Sequence, residues 1–182
     1  HKNGWVVLRS GWDRDAVQFI FRSGPPTGAH THLDNNSFML EAYGERLVVE
    51  TGVHSYDVPE YLTWDKETLS HNTILVNGAG QKIWRIYRSV GGRIRGTEKI
   101  SKKVGHIRKA PTDEATLYGG RIPYYKEKDE YISFIGDATE CYYGLERCLR
   151  HVLYVKSGYL VIVDDLIATK SSQFESRLHS NL

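Results

Sequence analysis

Apolar and polar residues alternate over short runs of this chain with a period of two, the pattern of half-buried β-strands. Residues 5–9, 16–21, 37–43 and 46–50 are rich in β-branched and aromatic side chains. Each run is bounded by turn-forming residues: Gly11 to Asp13, Gly24 to Pro26, Gly44-Glu45 and Gly52. Tyr43-Gly44-Glu45-Arg46 reads as a tight hairpin link, and the run 72–76 ends at Asn77-Gly78, a strong hairpin signal. Further strands are predicted at 84–87, 92–100, 104–107, 115–118 and 131–135, and a last hairpin pairs 149–155 with 159–164 across Lys156-Ser157-Gly158. Only 59–70 could hold a helical turn or an ordered loop, while 173–182 reads as a strand in progress. Short strands with such regular turn signals predict an all-β fold, a two-sheet antiparallel β-sandwich.

Composition supports one domain over residues 1–182. The chain has 182 residues, enough for a single core, and its 17 Gly and one Met fit a turn-rich β protein. A net charge of +2 gives no reason to expect a nucleic-acid partner. Residues 81–109 nevertheless hold ten Lys and Arg against one acid, Glu98. That stretch suits an acidic polysaccharide, or it is a solvated strand edge. Cys141 and Cys148 either form a cross-strand disulfide or remain two thiols, and two cysteines do not decide the compartment. No apolar run approaches the ~20 residues of a membrane span. No signal peptide is visible, and the chain opens at His1 without an initiator Met, as an excised piece would.

Candidate chemistry concentrates between Gly28 and Thr73. His30 and His32 stand two apart, so on a strand they share a face, while Glu50 and His71 arrive from later segments. His32, Glu50 and His71 offer three zinc ligands with water as a fourth, and Asp34 and Asn72 are near enough in sequence to orient them. The bland reading makes the two histidines hydrogen-bonded loop residues and Glu50 a solvated strand end. The spacing does not fit a cupin-type oxygenase, because the first Glu after His32 is Glu41, too far along for that motif. Tyr56 and Tyr61 lie between Glu50 and His71, and a phenol beside a cation can serve as acid or base. His54 follows Gly52-Val53 and either lines the pocket or sits in a surface loop. His106 and His151 read as structural, and His179 as either.

The segments around Trp5-Val6-Val7-Leu8-Arg9-Ser10-Gly11-Trp12, Gly24 through Asp34 with Ser37-Phe38, Leu47 to Gly52 and His71-Asn72-Thr73 run in the order of the heparinase II/III-like family, which the chain resembles. The later hairpin, with Arg150 and Val163-Asp164, is similar too. The resemblance implies the C-terminal β-sandwich of a polysaccharide lyase such as a heparinase or alginate lyase. It also implies a structural zinc held by His32, Glu50 and His71, with Glu50 where the family usually has Asp. His30 matches a position implicated in catalysis. The implied reaction is β-elimination at a uronic acid: the C6 carboxylate is neutralised, a base takes the C5 proton, and the C4–O bond breaks. In the family an Asn and a Tyr come from an N-terminal α-helical toroid, which this sequence lacks. The expected partners are therefore an acidic polysaccharide and the helical domain of a parent chain, in a periplasmic or secreted setting, with little activity from this piece alone. The alternative is a non-catalytic module that binds acidic glycans or supports assembly through the basic stretch.

Overall fold

The period-two pattern is plainest in β1 (Trp5–Arg9), where Val6 and Leu8 turn inward and Trp5, Val7 and Arg9 face out. A computed structural model describes residues 3–25, 31–82 and 119–181. β1 pairs antiparallel with β2 (Gln18–Arg22), β2 with β3 (Ser37–Ala42), and β3 with β4 (Glu45–Val48), in the sheet order β1-β2-β3-β4. A second antiparallel sheet has the order β6 (Arg121–Glu127), β7 (Tyr131–Asp137), β8 (Leu145–Val155), β9 (Tyr159–Ala168). The expected two-sheet sandwich is thus present.

The inward faces of the two sheets make one apolar core. Val6, Leu8, Phe19, Phe21 and Phe38 come from the first sheet, and Ile132, Phe134, Val152 and Tyr154 from the second. Phe21 meets the Phe134 ring edge-on at 5.0 Å between centroids. Each such side chain contributes roughly 1.5–3 kcal/mol by leaving water. Gly136 on β7 permits the close approach, since a Cβ there would lie 2.3 Å from Phe21 Cζ and 2.4 Å from Asn36 Oδ1.

A two-stranded ladder joins β5 (Ile74–Val76) to β10 (Phe174–Ser176). It sits beside a second apolar cluster that includes Ile74, Val76, Ala138, Cys141 and Cys148. Both cysteines are free and buried, so of the two alternatives the pair of thiols holds. Burial raises both thiol pKa values, that of Cys148 to about 12, which keeps them protonated and inert.

Several expectations need adjustment. The Asn77-Gly78 turn forms, with φ of 52° and 72° and reciprocal Val76–Ala79 backbone bonds of 2.9 Å. Yet the ladder partner of β5 is the distant β10, not the segment after the turn. β6 was not expected: it is a mostly exposed strand interrupted by Pro123 and a register shift, which hides its alternation. Residues 59–70 do contain helical turns, a π-type turn at Tyr61–Asp65 and a 3-10 turn at Thr68–Ser70. The strands expected at 84–87, 92–100, 104–107 and 115–118 lie outside the described residues, as does the basic stretch beyond Lys82. Among the described residues no helix is long and apolar enough to cross a membrane.

Candidate metal and substrate site

The site lies where β3 begins, β4 ends and the chain enters β5. Ser37, the first residue of β3, donates its hydroxyl to Glu50 Oε1 at 2.5 Å and accepts the backbone N–H of Asn72 at 3.1 Å. Asn72 is fully buried and spends its side chain on three segments. Its Nδ2 donates to the carbonyls of Phe38 (2.9 Å) and Val49 (2.8 Å), and its Oδ1 accepts the N–H of His179 (2.7 Å). Two polar side chains therefore bind the start of β3, the stretch after β4, the loop before β5 and the C-terminal segment together. Apart from the Ser37–Glu50 bond, each satisfies a backbone group that burial would otherwise leave unpaired.

That scaffold presents Glu50 and His71 to each other, with Glu50 Oε2 hydrogen-bonded to His71 Nδ1. Burial works against both charges, but the shared hydrogen bond and mutual attraction outweigh it. The Glu50 carboxyl is held below its ordinary pKa and the His71 imidazole above. His71 is buried, and among the described residues its Nε2 has no hydrogen-bond partner. His32 reaches the same place, its ring centroid 5.3 Å from that of His71. Burial, aided by repulsion from His71 and Lys66, lowers the His32 pKa to about 4, so it is a neutral donor at ordinary pH. Gly52, with φ of 79°, turns the chain sharply just after Glu50.

These side chains line a cavity of about 560 Å³, whose walls also include Trp5, Arg22 and Asp34. Arg22 and Asp34 form an ion pair in the cavity wall, and the Asp34 carboxyl also attracts the charge on His71. Trp5 is half exposed, with the Arg22 guanidinium 5.9 Å from its ring.

Two imidazoles and a carboxylate are the donor types zinc prefers, and the unpartnered Nε2 of His71 marks a polar atom buried without satisfaction. The set fits a metal in kind. In arrangement, Glu50 and His71 use their facing atoms on one another, and among the described residues no group of three or more His, Cys, Asp or Glu stands ready to hold an ion. His71 could ligate through Nε2 and keep that hydrogen bond, whereas Glu50 would have to release Oε2 from it.

The remaining candidates fall elsewhere. His30 lies outside the described residues. Tyr56 is exposed and packs edge-on against Tyr61 at 4.9 Å, and neither lines the cavity. The Tyr61 phenol has its pKa raised by burial and by nearby Tyr56 and Asp65, which is opposite to the activation considered from sequence. Trp5 and Ser37 stand out in the sequence only as part of the family resemblance, and Asp65 does not stand out at all, because a lone Asp carries no spacing signal. His54, left open between pocket and loop, is an exposed loop residue tied to Asp65 by two hydrogen bonds. His151 is half-buried on β8, and His179 closes the site through its backbone.

An antiparallel sandwich with a histidine- and carboxylate-lined cavity at its sheet ends defines a broad structural class. The sequence signature described as "Heparinase II/III-like, C-terminal" matches residues 1–181, and the chain belongs to that family. It is 24% identical over 173 residues to a heparin-sulfate lyase of Bacteroides stercoris, covering 93% of this chain and 21% of that protein. It is 29% identical over 84 residues to a heparin-sulfate lyase of Pedobacter heparinus, covering 44% and 13%. Among solved structures, a heparinase III gene product superposes with a TM-score of 0.68 at 20% identity over 95% of this chain and 22% of that one. The heparan sulfate lyase HepC of Pedobacter heparinus gives 0.65 at 19% identity over 92% and 21%. The chain thus spans about a fifth of the length of the relatives it matches along most of its own length.

Proposed function

We propose that this chain is the β-sandwich part of a lyase that cleaves uronic-acid-containing polysaccharide by β-elimination. The carrying observation is the convergence of His32, Glu50 and His71 on one cavity whose wall also holds the guanidinium of Arg22, paired with Asp34, and a half-exposed indole, Trp5. An aromatic face and a guanidinium are what a ring-shaped, anionic sugar needs for stacking and charge recognition. Family membership and the likeness to lyases support the same reading.

His32, Glu50 and His71 are assigned as the ligands of a structural zinc. Bound there, the ion would hold together the ends of the strands bearing the cavity and so fix the segment that carries His30. His30 is assigned to proton transfer or substrate orientation, with Tyr56 or Tyr61 as weaker candidates on the loop between Glu50 and His71. The rest of the cleft, with the groups that neutralise the C6 carboxylate, would come from a helical domain of a parent chain, in a periplasmic or secreted setting.

The test is ultraviolet absorbance of unsaturated uronate products, measured with the full-length parent on a panel of heparan, alginate and chondroitin polymers. One polymer gives product, and a His30→Ala variant loses it. Salt-sensitive binding of uronate oligomers without product would instead support the glycan-binding module. An active His30→Ala variant would reduce His30 to scaffolding.

A further inference from the structure

β8 and β9 carry apolar residues on both of their faces. Val152 and Tyr154 point into the core, and Leu160 and Ile162 pack against it. The alternate positions, Leu153 and Val155 on β8 with Tyr159, Val161 and Val163 on β9, are apolar too and lie on the outer face of the second sheet. The register sets them side by side, with Val155 opposite Tyr159 and Leu153 opposite Val161. Ile135 of β7 widens the patch across His151. Tyr159 is 68% exposed, Val163 53% and Val161 45%. No Lys, Arg, Asp or Glu occupies an outward position within 131–135, 151–155 or 159–163. Among the described residues β9 also ends the order β6-β7-β8-β9, so a long apolar strand forms the edge of this sheet.

A strand that is apolar at successive positions is suited to burial on both sides, whereas one wet face calls for alternation. An exposed apolar face beside a bare edge marks a contact surface. We propose that a layer of the parent polypeptide outside residues 1–182 packs its own apolar side on this face, making the second sheet an inner layer of the whole protein. The chain covers 21% of the heparin-sulfate lyase of Bacteroides stercoris and 22% of the heparinase III gene product, so proteins of this kind carry ample polypeptide for such a cover. A tethered cover meets the face at high effective concentration and escapes the entropy loss that a free partner or a second copy bears. Its contact side is apolar and poor in charge, because an ion set against Val161 and Leu153 would lose its water without gaining a partner. The cavity is lined by the first sheet and its loops, so this cover is separate from the other half of a substrate cleft, and the inference does not depend on the lyase reading. It bears on the site through Arg150 and Asp164, whose ion pair ties β8 to β9.

Photocrosslinking in the full-length parent tests the cover without any substrate. Tyr159 is replaced by p-benzoylphenylalanine, a mild exchange of one exposed aromatic for another, and Val163 is replaced in the same way in a second variant. Irradiation is expected to give a monomer-sized product in which mass spectrometry joins the probe to a peptide outside residues 1–182. A dimer-sized product would assign the face to a second copy, and a crosslink to a peptide within 1–182 would make the cover internal. Either result overturns the proposal, as does the absence of any crosslink from both positions in folded parent. Should the bulky probes unfold the parent, Val163→Cys keeps the question open to measurement. Its maleimide labelling, mapped by peptide, should be more than ~10-fold slower in native than in urea-unfolded parent, because the layer must open first. Equal rates in the two states overturn the assignment.

Discussion

Arg150 Nη1 donates to the backbone carbonyl of Asn72 at 2.7 Å, joining the middle of β8 to the residue after His71. The same nitrogen reaches the Asn36 carbonyl at 2.6 Å. Nε and Nη2 pair with Asp164 on the neighbouring strand at 2.7 and 2.9 Å. At 1% exposure Arg150 is the largest fully buried side chain among the described residues, and its rigid fork holds up both loops that build the site. The second sheet therefore supports a cavity formed on the first.

Replacing that guanidinium is expected to be severe. Arg150→Met leaves Asp164 and two carbonyls without their donor and should cost about 3–5 kcal/mol. Urea unfolding measures it. A loss under about 1 kcal/mol, within the range of exposed ion pairs, would mean that water replaces the fork.

Metal binding is checked without any substrate. Elemental analysis of the purified chain should find about one zinc per chain, and chelation should lower its melting temperature. His71→Ala should bind markedly less, whereas Glu50→Asp, which keeps the carboxylate, should retain zinc. Equal zinc in wild type and His71→Ala would place the ion elsewhere.

The metal-free chain should be most stable near neutral pH. His32 has a folded pKa of about 4 against an ordinary 6.5. Between those values the unfolded chain binds more protons, so stability falls as pH drops from 6.5 toward 4. His71 is shifted the other way: its contribution is complete below 6.5 and fades as pH rises through its higher folded value. Melting temperatures across this window should show the acid-side loss, and a His32→Gln variant should flatten it. An acid limb unchanged in that variant would assign the effect to other groups.

Gly136→Ala should cost about 1–3 kcal/mol, because the new methyl meets the Phe21 ring and Asn36 inside a packed core. Calorimetric melting gives the value. A neutral substitution would show that the two sheets part more easily than their interlocked rings imply.

The strands were legible wherever one face is buried and the other wet, because a sandwich imposes period two on the residues themselves. β1, β2, β7 and the β8–β9 hairpin follow directly from that pattern. β6 escaped it because an exposed strand with a proline carries little apolar signal. The residue types of the site, two imidazoles and an acid, could also be read from the chain. Their meeting could not. Glu50 and His71 become partners only because Ser37 and Asn72 tie strand ends together, and Arg150 does so from a sheet over seventy residues away. Local sequence dictates which face of a strand is apolar. Which loops touch is decided by how buried polar groups from distant segments satisfy one another, and that is also why the His54–Asp65 pair emerged only from the folded chain.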